Sequence, residues 1–379
     1  MTGVFTRLAR SIAAYPDKPY LRVPHGLIFG RSFNQATARR LLILYRPAGI
    51  SYASVYPFLH YADVLAAQYD VQVRLFPIEK ALANGVPKGL TDATHVIGQT
   101  WLTEPQDRHD ALARVFDGFP ADTVTAYLDS FANADIRHAG RFPNIDFYFK
   151  KSLFVDLAQF TRTTYGHTNL TEFYGRLYDL PDEMTDWKVP ESVLPKLRLA
   201  PNFLSSPSLT AAFVEADALP PFNAKDIDIH ARLGGTKAVG WYGEMRRQAQ
   251  SKIANIDGPN VIVGTGVSKQ VFFDEMLRSK LCFSPFGYGE LCWRDIEAMA
   301  CGAVVVKPDM SHLRTEPDLF RDGETYIACR WDFADLEDKV RGILADDEKR
   351  EHIAVTAWSI ARDYLRSAGP VKAYSALFE

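Results

Sequence analysis

The chain has 379 residues, room for two domains at roughly 150 residues each. Apolar residues make up 47% and charged residues 23%, ordinary values for a globular protein that exclude collagen-like, disulfide-scaffold and disordered chains. Lys plus Arg total 43 against 46 Asp plus Glu, a net charge of −3; this gives no basic excess to hold phosphates non-specifically, and no nucleic-acid partner is expected.

Short apolar runs that end in Gly, Pro or Asp alternate with longer helical patterns, which predicts βα units around a parallel sheet. Leu41–Tyr45 (LLILY) reads as the first strand. A helix carrying Phe58, Leu59, Ala62, Val64 and Leu65 follows, and then a second strand over Val71–Phe76. His95–Gly98, Thr123–Asp129 and the DFYFKKS stretch at 146–152 predict three more strands. Ligands of open α/β sheets sit beyond the carboxyl ends of the strands, which directs attention to Arg46–Ser54, Gln99–Trp101, and Asp129 with Ser130. Arg198–Lys225, rich in Ser and Pro and weakly periodic, predicts a linker.

A second α/β series starts at Asp226 with IDIHARLGG, GWYGEMRRQAQSKI, VIVGTG and a helix around VFFDEMLRSK. The segment at 279–309 then reads as a strand over Leu281–Ser284, a GYG turn, a helix over Leu291–Cys301 ended by Gly302, and a strand over Ala303–Val306. A strand feeding a glycine turn and a helix start aims free N–H groups and the positive end of the helix dipole at one point, where phosphate binds. Glu290, Arg294 and Glu297 stand at i, i+4 and i+7, one face of a helix. That row suits a nucleotide diphosphate, with Arg294 on the phosphates and Glu297 on ribose hydroxyls; it is also the pattern of a solvated salt-bridge stripe.

The stretch Ser279, Lys280, Cys282, Pro285, Gly287-Tyr288-Gly289, Arg294, Glu297-Ala298, Gly302 and Val304 resembles the donor-binding half of a GT-B glycosyltransferase, in particular the exostosin-like group. Position 293 is Trp where that pattern has Pro, and position 303 is Ala where it has Cys. The resemblance implies two Rossmann-like domains facing a cleft, a nucleotide-sugar donor in the second, Ser284 and Glu290 beside the donor turn, and neither a metal nor a separate cofactor. Similar retaining families place two glutamates eight positions apart; here position 289 is Gly and Glu290 stands seven before Glu297, which favours an inverting enzyme.

A leaving diphosphate calls for a second cation, and the candidates are Arg232 in HARLGG and Arg246 or Arg247 in WYGEMRR. Tyr242 and Tyr288 are candidates to pack on the base or sugar. Inversion needs a general base from the first domain; Asp129, His60 and Asp63 are the candidates, although an Asp after a strand is also an ordinary turn or cap residue.

The four cysteines, Cys282, Cys292, Cys301 and Cys329, form no CxxC pair and are read as reduced thiols. Asn169-Leu170-Thr171 matches a glycosylation acceptor, read as fortuitous without a signal peptide. No apolar run reaches the ~18 residues of a membrane span, and a cytoplasmic location is expected, with peripheral docking to the inner face of the membrane through Arg7–Arg10 left open. HExxH, P-loop and GxSxG motifs are absent from the sequence.

The expected domains are therefore 1–205, Rossmann-like and acceptor-binding; 206–346, Rossmann-like and nucleotide-sugar-binding; and 347–379, a C-terminal helix returning toward the first domain. The expected activity is sugar transfer to a hydroxyl of a glycan, lipid-linked or protein acceptor. A nucleotide-sugar epimerase on the same fold and a non-catalytic nucleotide-sugar binder are the alternatives.

Overall fold

A computed structural model describes residues 28–46, 49–100, 106–186 and 189–379. Trp101 and the Arg7–Arg10 segment lie outside these residues.

The first half builds a six-stranded sheet from β1 (Arg39–Tyr45), β2 (Val71–Pro77), β3 (His95–Gly98), β4 (Val124–Asp129), β5 (Phe147–Lys150) and β9 (Leu197–Leu199), every pair parallel. Their order across the sheet is β2-β1-β3-β4-β5-β9. Three short strands, β6 (Ser152–Phe154), β7 (Thr163–Tyr165) and β8 (Met184–Asp186), lie between β5 and β9 in the chain and outside this sheet. The second half builds a five-stranded parallel sheet from β10 (Ile227–Ala231), β11 (Val261–Val263), β12 (Ser279–Phe283), β13 (Val304–Pro308) and β15 (Ile327–Cys329), in the order β11-β10-β12-β13-β15. The central strands are continuous apolar runs because both of their faces are covered: Leu41 to Leu44 and Val304 to Val306 are buried at every position.

In both sheets the chain winds first to one side and then crosses to the other. The order reverses between β1 and β3 in the first sheet and between β10 and β12 in the second. Loops at such a switch point diverge and leave a crevice beyond the carboxyl edge. The carboxyl edges of the two sheets face each other, since the loop after β12 touches the loop after β4, with Gly289 packed on the backbone of Ala132.

The halves are closely joined. Strand β6 pairs antiparallel with β14 (Leu313–Thr315) of the second half, Phe203 stacks on Trp293 at 4.6 Å, and one contiguous apolar cluster contains Leu42 and Tyr127 as well as Ile229 and Phe283.

Arg198–Lys225 is more than a linker. It enters as β9 and contains the helix Pro207–Glu215, whose Leu209, Thr210 and Phe213 are buried and which packs on the helix Asp347–Arg366. The segment ends at Lys225, whose buried ammonium donates to the carbonyls of Leu277, Ser279 and Cys301, each at 3.0 Å. Its Ser and Pro content concealed a helix with Pro at its first turn, where no N–H is missed.

After the helix Asp347–Arg366 the chain turns at Ala368, in the left-handed region at φ 54°. Val371, Tyr374, Leu377 and Phe378 then pack among Leu41, Ile43, Phe58 and Phe149 of the first half. Tyr374 donates to the carbonyl of Ser54 at 3.2 Å and Tyr61 to that of Leu365 at 2.7 Å. No helix among the described residues is long and apolar enough to cross a membrane.

Candidate donor site at the switch point of the second sheet

Two loops form the crevice of the second sheet: residues 232–239 after β10, and residues 284–292 after β12. The helices Gly240–Ala254 and Trp293–Ala300 begin at these loops. The second helix starts where it does because Cys292 and Asp295 form a capping box, the Cys292 N–H donating to Asp295 Oδ2 at 2.9 Å. It stops at Gly302, whose φ of 68° suits glycine. Asp295 also accepts from Ser284 Oγ at 2.5 Å and pairs with Lys307 Nζ at 3.1 Å, all three side chains being buried. Ser284 is thus committed inward and positions the turn; it does not present its hydroxyl to a ligand.

The GYG turn closes through the Gly287 N–H, which donates to the carbonyl of Gly289 at 2.9 Å. A Cβ on Gly289 would lie 1.9 Å from the Ala132 carbonyl oxygen. Gly289→Ala is therefore expected to push the turn away from the first half and lower the melting temperature; a thermal melt against the wild type checks this. Tyr288 is 61% exposed and stacks on Tyr242, with ring centroids 4.2 Å apart. The Arg246 guanidinium lies over the Tyr242 ring at 5.1 Å.

Arg246 is the unusual residue of the site. It is only 4% exposed, its Nε has no hydrogen-bond partner, and among the described residues no carboxylate pairs with it. Burial, with Arg294 adding to it, holds its pKa below the ordinary arginine value. Arg294 donates through Nη2 to the carbonyl of Arg232 at 2.7 Å, while its own Nε is buried without a partner. A buried cation with no paired carboxylate among the described residues, next to the half-buried Arg294, a glycine turn and a helix start, suits an anion, since an unpaired buried charge costs several kcal/mol, about 3–5 by analogy with broken buried pairs. Glu297 stands one turn after Arg294; burial raises its carboxyl above the ordinary value, against the lowering effect of Arg294 and Lys269.

The other two arginines have partners. Arg232 grips Glu275 through Nε and through Nη2, the latter at 2.6 Å, and donates from Nη1 to the Val263 carbonyl at 3.0 Å. It ties the helix Lys269–Leu277 to the sheet. Arg247 pairs with Glu244 at 2.6 Å and donates to the Thr236 carbonyl at 2.7 Å, steadying the glycine loop after β10. The sequence contains the distinction: Arg246 shares the buried stripe of its helix with Met245, Ala249 and Ile253, and Arg247 falls off it.

Glu290 does not share a helix face with Arg294 and Glu297, because the helix begins only at Trp293. It is fully buried on the seam between the halves, where Oε1 accepts from Asn169 Nδ2 at 2.9 Å and lies 3.6 Å from His312 Nε2. Burial pushes this carboxyl up, but His312 and Asn169 outweigh it and hold it below the ordinary range. Oε2 is buried without a partner. Asn169, read as a glycosylation match, is in fact a seam residue, and His312 has no motif that marks it.

None of the three proposed bases is placed to act on a substrate. Asp129 is buried, with Oδ2 accepting from Tyr148 at 2.7 Å and from Lys150 Nζ at 2.8 Å, and Oδ1 from the Phe131 N–H at 2.8 Å. Burial alone would raise its carboxyl, yet Lys150 and Tyr148 hold it below the ordinary aspartate value, the wrong direction for a general base. It organises the loop after β4, which Lys151 also anchors by donating to the Phe131 carbonyl; burial first, and then Lys150, pushes the Lys151 ammonium down to about 7. His60 is the last residue of the helix Gly49–His60. That helix starts at the carboxyl edge of the sheet and runs back, so its end lies about 16 Å away at 1.5 Å per residue. His60 meets Tyr56 Oη at 3.1 Å there, and Asp63, on the next helix, is exposed at the same far end.

Two doubly wound parallel units, carboxyl edge to carboxyl edge, with the chain end returned to the first, have the GT-B glycosyltransferase fold. Residues 218–367 match the family model described as glycosyl transferase-like. An alpha-glucosyltransferase in complex with UDP is similar at a TM-score of 0.51 and 10% identity, over 90% of this chain and 100% of that one. An alpha-glucosyltransferase with UDP and a 13-mer DNA containing an HMU base gives 0.50 and 10%, over 90% and 99%. HepE of Anabaena in complex with UDP gives 0.45 and 13%, over 89% and 99%. No curated protein sequence matches the chain significantly.

Proposed function

We propose that this protein is a glycosyltransferase that binds a nucleotide diphosphate sugar, with UDP as the nucleotide, in the crevice of its second half. The observation that carries the reading is Arg246, a buried guanidinium that no carboxylate among the described residues pairs with, beside Arg294 and the GYG turn. In this site the diphosphate sits between Arg246, Arg294 and the start of the helix Trp293–Ala300. Glu297 accepts from ribose hydroxyls, and Tyr288 and Tyr242 cover the base. The alpha-glucosyltransferase of similar fold is described in complex with UDP, and the spacing around GYG, Arg294 and Glu297 resembles exostosin-like donor domains.

In the transfer, the acceptor hydroxyl oxygen bonds to the anomeric carbon. The bond from that carbon to the diphosphate oxygen breaks, and its electron pair leaves on the nucleotide. The arginines stabilise the charge that develops there, so these side chains supply that function without calling on a metal. The acceptor we propose is a hydroxyl of a glycan, lipid-linked or protein molecule rather than a nucleic acid, in keeping with the net charge of −3.

The spacing of Glu290 and Glu297 favours inversion, which needs a base, and none of Asp129, His60 and Asp63 meets the seam as one. Retention, in which the departing diphosphate takes the hydroxyl proton, is the second reading; the anomeric proton coupling of the product separates them.

The test is a thermal-shift series with UDP, GDP, CMP and their sugar conjugates. Ligand at a hundred times its Kd stabilises by about 2.7 kcal/mol, and a rise confined to the UDP series is expected. No response to any nucleotide would sink the reading. Product formed from the donor sugar without an acceptor would favour the epimerase instead.

A further inference from the structure

A large hollow on the seam is lined by none of the residues assigned to the donor. It has a volume of about 630 Å³, within the range of about 300–1,000 Å³ common for small-molecule sites. Gln159, Arg162 and Phe173 of the first half form one side, and His312 and Trp331 of the second half the other.

Its wall is aromatic. Trp331 meets Phe173 edge-on at 5.0 Å and His312 at 4.9 Å. Phe173 is 37% exposed although it lies on a helix whose Leu170 and Tyr174 are fully buried. Around this wall stands a fixed set of planar polar groups. Arg162 donates from Nε to Gln159 Oε1 at 2.7 Å and pairs through Nη1 with Glu172 at 2.7 Å. Aromatic faces bordered by amide, carboxylate and guanidinium groups match a saccharide, whose C–H face is apolar and whose hydroxyls both donate and accept.

The hollow also adjoins the donor site through one residue. Asn169 and His312, which line it, are the two groups that hold Glu290 Oε1, and Glu290 follows Gly289 of the GYG turn directly. Glu290 Oε2 is buried behind them without a hydrogen-bond partner.

We propose that this hollow is the acceptor subsite and takes a saccharide ring against Phe173 and Trp331, with its hydroxyls on Gln159 and Arg162. The acceptor is then a glycan rather than a protein side chain, and it is bound by both halves, not by the first alone. This inference rests on the donor reading for the word acceptor; the saccharide site itself stands on the cavity.

The test is saturation-transfer NMR on the full chain with methyl glycosides of glucose, galactose, mannose and N-acetylglucosamine at millimolar concentration, with and without UDP. At least one glycoside is expected to bind. Phe173→Ala is expected to weaken it about tenfold, the scale on which truncating an aromatic side chain weakens a binding surface, while UDP affinity is unchanged. Gln159→Ala, which removes a polar group from the rim, should weaken it as well without touching the apolar packing. Failure of every glycoside to bind, or binding indifferent to both substitutions, overturns the proposal. Glycoside binding sensitive to Phe173→Ala in a protein that ignores UDP would uphold the saccharide site and remove the donor reading instead.

Discussion

Arg246→Ala is expected to weaken UDP binding about a hundredfold, roughly 2.7 kcal/mol, the scale of a desolvated charge removed from its partner. The free protein should behave in the opposite way. The guanidinium is buried, pairs with no carboxylate among the described residues and sits near Arg294, whose charge opposes its own. Its removal takes away an uncompensated charge, and the melting temperature of the unliganded protein should hold or rise. Arg247→Ala, one position along, alters an exposed residue paired with Glu244 and bonded to the Thr236 carbonyl, and should leave UDP affinity within about fivefold, since exposed pairs contribute about 0–1 kcal/mol. Isothermal titration with UDP together with melts of the unliganded proteins measures both quantities. Equal UDP affinity in wild type and Arg246→Ala would refute the site. A large loss of stability in that variant would make the arginine structural.

Asp129→Ala is expected to remove about 3 kcal/mol or more of stability, because it leaves Lys150 buried without its counter-charge. In a chain of this size that is a fall in melting temperature of roughly 4 °C. The sign of the pH dependence follows from the folded carboxyl lying below its ordinary value. In the acid range the unfolded chain binds the proton more readily, so the stability due to Asp129 is fully present above the ordinary aspartate pKa of about 3.9 and is lost as pH falls through the folded value. Stability curves of wild type and Asp129→Asn should therefore converge as the solution is acidified. The same variants decide the catalytic question. A general base would give Asp129→Asn an unchanged melting temperature and no turnover. The geometry predicts a lower melting temperature, with turnover retained by the molecules that remain folded.

Much of the fold was legible in the sequence because strands buried on both faces must be unbroken apolar runs. LLILY, HVIG and VVV announced β1, β3 and β13 for that reason, and the Gly, Pro or Asp at or soon after their ends marked the turns. The amphipathic helix Gln106–Asp117, which among the described residues buries only His109, Leu112 and Phe116, and the short strands β6, β7 and β8 carried no such run and were not foreseen. The crossing of β6 to β14 was invisible for a different reason, since pairing between residues 154 and 313 depends on where two separate sheets come to rest.

The candidate site divides along the same line. By itself the sequence determined the GYG turn, the helix after it and the presence of Arg294 and Glu297 on that helix, because turn chemistry and helical spacing act over a few residues. The tertiary structure decided which charges were already answered. Glu275 lies 43 positions from Arg232 and Lys150 lies 21 from Asp129, so no local pattern could show that these two were satisfied and that Arg246 was not. Glu290 is the plainest case. The spacing rule put it in a row with Arg294, but its carboxylate turns to Asn169, 121 residues away, and to His312. A buried charge goes where desolvation is offset, and that place exists only once the two halves have met.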